Sequence, residues 1–197
     1  MHASSSNVRR TRLQHAGRWL GGALLAVAML PLTHAANTPA TAAVASVPAA
    51  SKTIAMLDFE LIDDTGDTTM AAVQTARLLL ISQLLRAQFI EYHLYNVVDN
   101  APAAVQIADL RSSFELHTCN GCDVDIGKAL KTDRVMTAWV QKVSNLILNI
   151  NIQIRDVKSG LIMLNKSVDI RGNTDESWTR GVRYMVRNMV EKNQANR

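Results

Sequence analysis

Cys119-Asn120-Gly121-Cys122 contains both cysteines of a 197-residue chain. Three chemistries suit such a pair. Closed as a disulfide, its small loop contributes about 2 kcal/mol at most to the fold. Kept reduced at a helix N-terminus, where a thiolate is favoured, it becomes a redox couple. With His117, and with Asp123 or Asp125 completing the set, Cys119 and Cys122 offer soft and borderline ligands for zinc or copper. A thioredoxin-like arrangement places its pair soon after the first strand, whereas this pair arrives after two strands. Covalent haem attachment is excluded, because Asp123 stands where that motif needs histidine.

Other catalytic signatures are missing. Beyond residue 35 the only histidines are His93 and His117. A Ser-His-Asp triad would have to use one of them, and no Gly-x-Ser-x-Gly elbow accompanies either. No Walker loop or dinucleotide fingerprint occurs. The expectation is therefore a protein without catalytic residues and without a cofactor. Asp58, Glu60, Asp63, Asp64 and Asp67 crowd together, but their spacing fits no calcium loop, and a solvated loop explains them.

Two polar surfaces remain as candidates for binding a partner. In Asp169-Ile-Arg-Gly-Asn-Thr-Asp-Glu-Ser-Trp178, helix capping by Asn173 with Glu176, or by Thr174, accounts for part of the polarity. It does not account for Arg171, Asp175 and Trp178 together. The second surface is a strand face carrying Asn149, Asn151, Gln153 and Arg155. The partner-binding candidates are accordingly Arg171, Asn173, Asp175, Trp178, Asn149, Asn151 and Gln153.

The N-terminus determines the compartment in which these groups work. Arg9, Arg10, Arg12 and Arg18 form a basic region, Trp19 to Leu30 is apolar, and Pro31 ends the run. This is the layout of a secretory signal, with cleavage expected after Ala35 or, alternatively, after Ala36. The apolar run falls short of the roughly 20 residues a membrane span needs. Arg9-Arg10 is a twin-arginine pair, although its flanking residues suit that route poorly. An exported chain meets an oxidising compartment, which makes the disulfide the default state of the cysteine pair and the metal or redox site its alternative.

Removing the signal changes the charge balance. The full chain has 21 Lys and Arg against 17 Asp and Glu. Four of the basic residues and none of the acidic ones lie in 1–35, so the remainder carries 17 of each. A neutral chain without a basic stripe offers no footprint for nucleic acid. Residues 36–51 are mostly Ala, Thr, Pro, Val and Ser, a composition expected for a disordered leader. One domain is expected over 52–193.

The elements that must position these residues follow from periodicity. Thr53 to Glu60 is an apolar run ending in acidic residues and reads as a central strand, with Leu61 to Thr68 a polar loop. From Thr69 to about Phe89 a helix is expected, its apolar side traced by Met70, Val73, Arg77, Leu80, Leu84 and Ala87 and widened by Ile81 and Leu85. Tyr92 to Asp99 suits a second strand, Pro102 to Leu110 a short helix, and Asp123 to Leu130 another. Arg134 to Val143, Leu146 to Arg155 and Leu161 to Arg171 form an antiparallel meander, the middle strand alternating almost strictly. A last helix carries Trp178, Val182, Met185 and Met189 at helical spacing. The fold expected is α/β of the α+β type: a mixed sheet of about five strands, ordered β-α-β-α-β-β-β-α, with helices mainly on one face.

Several of these segments carry a family resemblance. Ile54-Ala-Met-Leu-Asp-Phe59, Val97-Val98-Asp99, the Gly127–Asp133 approach to a strand and Ile154-Arg-Asp-Val-Lys-Ser-Gly160 resemble the N-terminal domain of TolB and the related domain of CsgG. Cys119 to Asp123, Trp139 to Asn149 and Asp169 to Trp178 more narrowly resemble an uncharacterised family of exported proteobacterial proteins, the domain of unknown function numbered 2380 or 3280. The resemblance spans about residues 53–190. It implies a TolB-N-like fold and a periplasmic adaptor role through contacts with an envelope or periplasmic protein. It further implies an accessory role beside quinoprotein dehydrogenases, and it supplies no catalytic residues.

Overall fold

The computed structural model describes residues 51–195. The expected signal peptide at 1–35 and, apart from Ser51, the expected leader at 36–51 lie outside the described residues. The strands are β1 (Thr53–Met56), β2 (Glu60–Asp63), β3 (Asn96–Val98), β4 (Arg134–Lys142), β5 (Ile147–Asp156) and β6 (Ile162–Arg171). The helices are α1 (Ala71–Glu91), α2 (Ala104–Ser113), α3 (Cys122–Ala129) and α4 (Asp175–Ala195). Together the strands form one mixed six-stranded sheet in the order β3-β1-β4-β5-β6, with β2 also paired to β4. β1 runs parallel to both β3 and β4, and β2 runs parallel to β4. The meander β4-β5-β6 is antiparallel, as its alternation predicts.

The sixth strand comes from a segment expected to be loop. β1 and β2 lie in succession along the same edge of β4, and Leu57-Asp58-Phe59 steps out between them. Backbone groups freed by that step need partners. The Phe59 amide donates to Ser82 Oγ at 2.9 Å. The Met56 carbonyl accepts from Arg86 at 2.7 Å and from Asn100 at 2.6 Å, and the Asp58 carbonyl accepts from Arg111 at 2.7 Å. The expected strand at Tyr92–Asp99 shortens to Asn96–Val98, with His93 exposed in the preceding turn.

Alternation along the strands separates two cores. Ile54, Met56, Met136, Ala138, Ile150 and Ile152 pack under the long helices α1 and α4. On the opposite face a smaller core joins Ala55, Leu57 and Val135 to Leu116, Cys122 and Ile126 around α3.

α1 is rotated from the expected orientation. Its buried line is Gln74, Arg77, Ile81, Ser82, Leu85 and Phe89, while Val73 and Leu80 are 43% and 41% exposed. This rotation lets Ser82 reach the Phe59 amide, while Arg77, Ile81 and Leu85 keep the expected side and Arg77 reaches the start of α4. Gly181 allows α4 to settle on the sheet, since a Cβ there would stand 2.6 Å from Ile170 Cγ2 and 2.8 Å from Ile150 Cδ1.

Candidate functional site

The polar segment before α4 is largely an internal tie. Gly172, at φ 86°, turns the chain out of β6, a conformation that favours glycine. The helix cap is Thr174, not Asn173: Thr174 Oγ1 accepts from the Ser177 amide, and Ser177 Oγ accepts from the Thr174 amide, each at 3.1 Å. Freed from capping, Asn173 Oδ1 accepts from Arg77 Nη1 at 2.9 Å and from Trp178 Nε1 at 3.1 Å. Asp175 Oδ1 accepts from Arg77 Nε at 2.6 Å. The Arg77 guanidinium lies 6.0 Å from the Trp178 ring centre, and Trp178 is wholly buried. Asn173, Asp175 and Trp178 therefore clamp α1 to α4. Arg171 alone of the four segment candidates stands exposed without joining that clamp.

The polar strand face forms an internally bonded ladder. Asn149 donates to the Asp169 carboxylate. Asn151 donates to the Asn149 carbonyl at 3.3 Å. Gln153 donates to Asn165 Oδ1 at 3.0 Å and accepts from Arg155 Nε at 2.9 Å. Beside this ladder the His117 and Trp139 rings stack at 4.7 Å between centroids. Sequence reasoning had not linked those two residues, which lie on different segments.

Cys119 and Cys122 are joined as a disulfide, with their Cα atoms 5.6 Å apart. In this state neither sulfur is a thiolate, and His117 Nδ1 faces Glu60 Oε2 at 3.2 Å. Among the described residues no group of three or more His, Cys, Asp or Glu is arranged to hold a metal. Asp123, at the start of α3, is buried, and burial pushes its carboxyl up despite Arg155 Nε at 3.3 Å.

The acidic cluster after β1, expected to be a solvated loop, is instead distributed among separate structural partners. Asp58 pairs with Arg86 at 2.7 Å. Glu60 accepts from the Leu116 amide at 3.1 Å, and Asp64 from Gln141 at 3.0 Å. Asp67 caps the turn at Thr69. Asp63 accepts from Lys142 Nζ at 2.8 Å, and that lysine is wholly buried. Burial pushes the Asp63 carboxyl up, but hydrogen bonds from Lys142 and Thr65 outweigh it and hold it at about 2.

Among the open features of the described residues is a groove of about 860 Å³ between β6 and α4. β6 is the outer strand of the sheet, paired only with β5 among the described strands. The groove runs from Ser167 to Arg171 on the strand, and Arg180, Tyr184 and Arg187 overhang it from the helix. These three helix positions repeat at i, i+4 and i+7, a periodic signal visible in the sequence but outside the expected site. Arg187 lies 5.7 Å from the Tyr184 ring centre.

Fold and sheet order place the chain among mixed α/β proteins of the α+β type. It belongs to the family described as Protein of unknown function (DUF2380), whose model matches residues 52–190. No curated protein matches the sequence. Among solved structures it is similar to the LpoB C-terminal domain from Escherichia coli, at 12% identity and a TM-score of 0.44, covering 61% of this chain and 83% of that one. It is similar also to lipoprotein GNA1162 from Neisseria meningitidis, at 13% identity and a TM-score of 0.42, over 72% of this chain and 99% of that one. For TolB from Acinetobacter baumannii the identity is 12% and the TM-score 0.39, over 70% of this chain and 29% of that one. These likenesses are slight.

Proposed function

We propose that this protein is a non-catalytic binding or adaptor protein that works beyond the inner membrane by holding a partner protein. The observation that carries this reading is the outer edge of β6. Its ten residues end the sheet, and alternate residues direct backbone N–H and C=O groups away from β5. Such an edge is a template for another chain unless it is covered. The arginine-rich sequence before Trp19-Leu30 supports export. Among the described residues no helix is long and apolar enough to cross a membrane. The accessory role beside quinoprotein dehydrogenases rests on the family resemblance alone.

Site-specific photo-crosslinking in living cells tests the reading. A crosslinker at Ser167 or Tyr184 should give a discrete adduct with an envelope or periplasmic protein. A crosslinker at Lys158, on the exposed turn after β5, should not. Absence of adducts from the groove positions would count against the proposal.

A further inference from the structure

We infer that the β6–α4 groove receives an extended acidic segment of the partner, added as a seventh strand along β6. The inference rests on the adaptor reading and names the chemistry of what is held. Charge supplies the first argument. Arg171, Arg180 and Arg187 line the groove. Of these three arginines only Arg180 is ion-paired among the described residues, with Glu176 at 3.5 Å in an exposed pair worth little. The one carboxylate in the groove lining, Asp169, accepts from Asn149. Arg183 adds to the basic character of α4, and Glu191 ends the Arg180–Tyr184–Arg187 line at the far end. Guanidinium groups pair carboxylates with two parallel hydrogen bonds, so carboxylates are the fitting complement.

The shape of the edge supplies the second argument. An added strand would place every second side chain on the α4 side, where Arg180, Tyr184 and Arg187 overhang. At the other end of β6, Ile162 and Met163 are 48% and 54% exposed and suit apolar residues. The complementary segment is therefore apolar at one end and acidic at alternate positions toward the other.

Two other occupants fit less well. A second copy pairing β6 to β6 about a two-fold axis would bring the two α4 arginine rows side by side, and like charges repel. The chain's own residues 36–51 contain no acidic residue to meet the arginines.

Binding is measured by fluorescence anisotropy on the exported protein. The probe is a short capped peptide in which Glu alternates with Val and Thr. Its controls are a Lys-for-Glu version and a version interrupted by prolines, which cannot donate to a ladder. The Glu peptide should bind, protect β6 amides from hydrogen exchange and weaken as salt rises. The double variant Arg180→Glu/Arg187→Glu, both side chains exposed, should bind it about tenfold more weakly while keeping its circular dichroism spectrum. Salt dependence of the unaltered protein gives the same information without any variant.

Equal binding of the Lys peptide, or of the proline-interrupted peptide, would overturn the inference. So would binding of phosphatidylglycerol vesicles with no binding of the Glu peptide. A concentration-dependent dimer with β6 amides already protected would reassign the edge to a second copy. Groove crosslinks in cells without peptide binding would remove the acidic strand and leave the adaptor reading standing.

Discussion

Individual charged residues here act mostly as braces. Lys142 is wholly buried at the end of β4, and its ammonium is held by Asp63 and Thr65. Removing one partner of a buried pair leaves an uncompensated charge, so Asp63→Ala should cost about 3–5 kcal/mol in denaturant unfolding. The pair also sets an acid limit. The Asp63 carboxyl lies below its ordinary 3.8, at about 2. Its stabilisation is fully present above pH 3.8 and is lost as pH falls through 2. Thermal melts of Asp63→Asn should accordingly lose pH dependence within that window. Arg77 is a second brace, donating to both Asn173 and Asp175. Arg77→Ala should lower stability by about 1–3 kcal/mol, and Asp175→Ala should follow it in the same direction, as a double-mutant cycle would show. A loss of partner capture in Asp175→Ala would thus report stability as well as contact.

Elements are positioned by close approach and by polar anchors. Gly181 brings α4 down onto Ile150 and Ile170. Gly181→Ala should therefore overpack that contact and destabilise the fold by about 1–3 kcal/mol, although alanine is the better helix former. A rise in melting temperature would contradict this packing account. The disulfide at the start of α3 closes a small loop, so Cys119→Ser/Cys122→Ser should cost no more than about 2 kcal/mol. Equilibrium unfolding of oxidised protein and variant measures that difference.

Over the whole molecule the net charge hides an uneven distribution. The chain after residue 35 carries 17 positive and 17 negative residues. Many carboxylates are tied into internal braces around β1, β2 and α1. Arg171, Arg180 and Arg187 instead collect along one groove. Local potential, not net charge, governs such encounters. The chain without residues 1–35 should therefore be retained on a cation exchanger at neutral pH. Arg180→Glu/Arg187→Glu should elute at lower salt, and co-elution would argue against a concentrated basic face.

Sequence periodicity alone determined the meander and the terminal helix. Strict alternation in β5 and the Trp178-Val182-Met185 spacing are local signals that burial reinforces. The cysteine pair and the neutral balance after residue 35 were likewise legible from residue types. β2 was not, because Leu61 and Ile62 are only two apolar residues leading into the polar run Asp63–Thr68, and the segment becomes a strand only when β4 offers an edge and Lys142 a buried cation. The rotation of α1 was hidden for the same reason. A Val73–Leu80 stripe is more apolar than Gln74 and Ser82, yet those two turn inward beside Arg77, which lies on the expected side, and Phe59, Asn173 and Asp175 supply partners for Ser82 and Arg77. Tertiary structure also sorted the polar candidates. It absorbed Asn173, Asp175 and Trp178 into a clamp, kept Arg171 outside, and set it beside Arg180, Tyr184 and Arg187. A sequence lists polar groups without saying which find partners inside the fold, and only the packed chain separates the braces from the open edge.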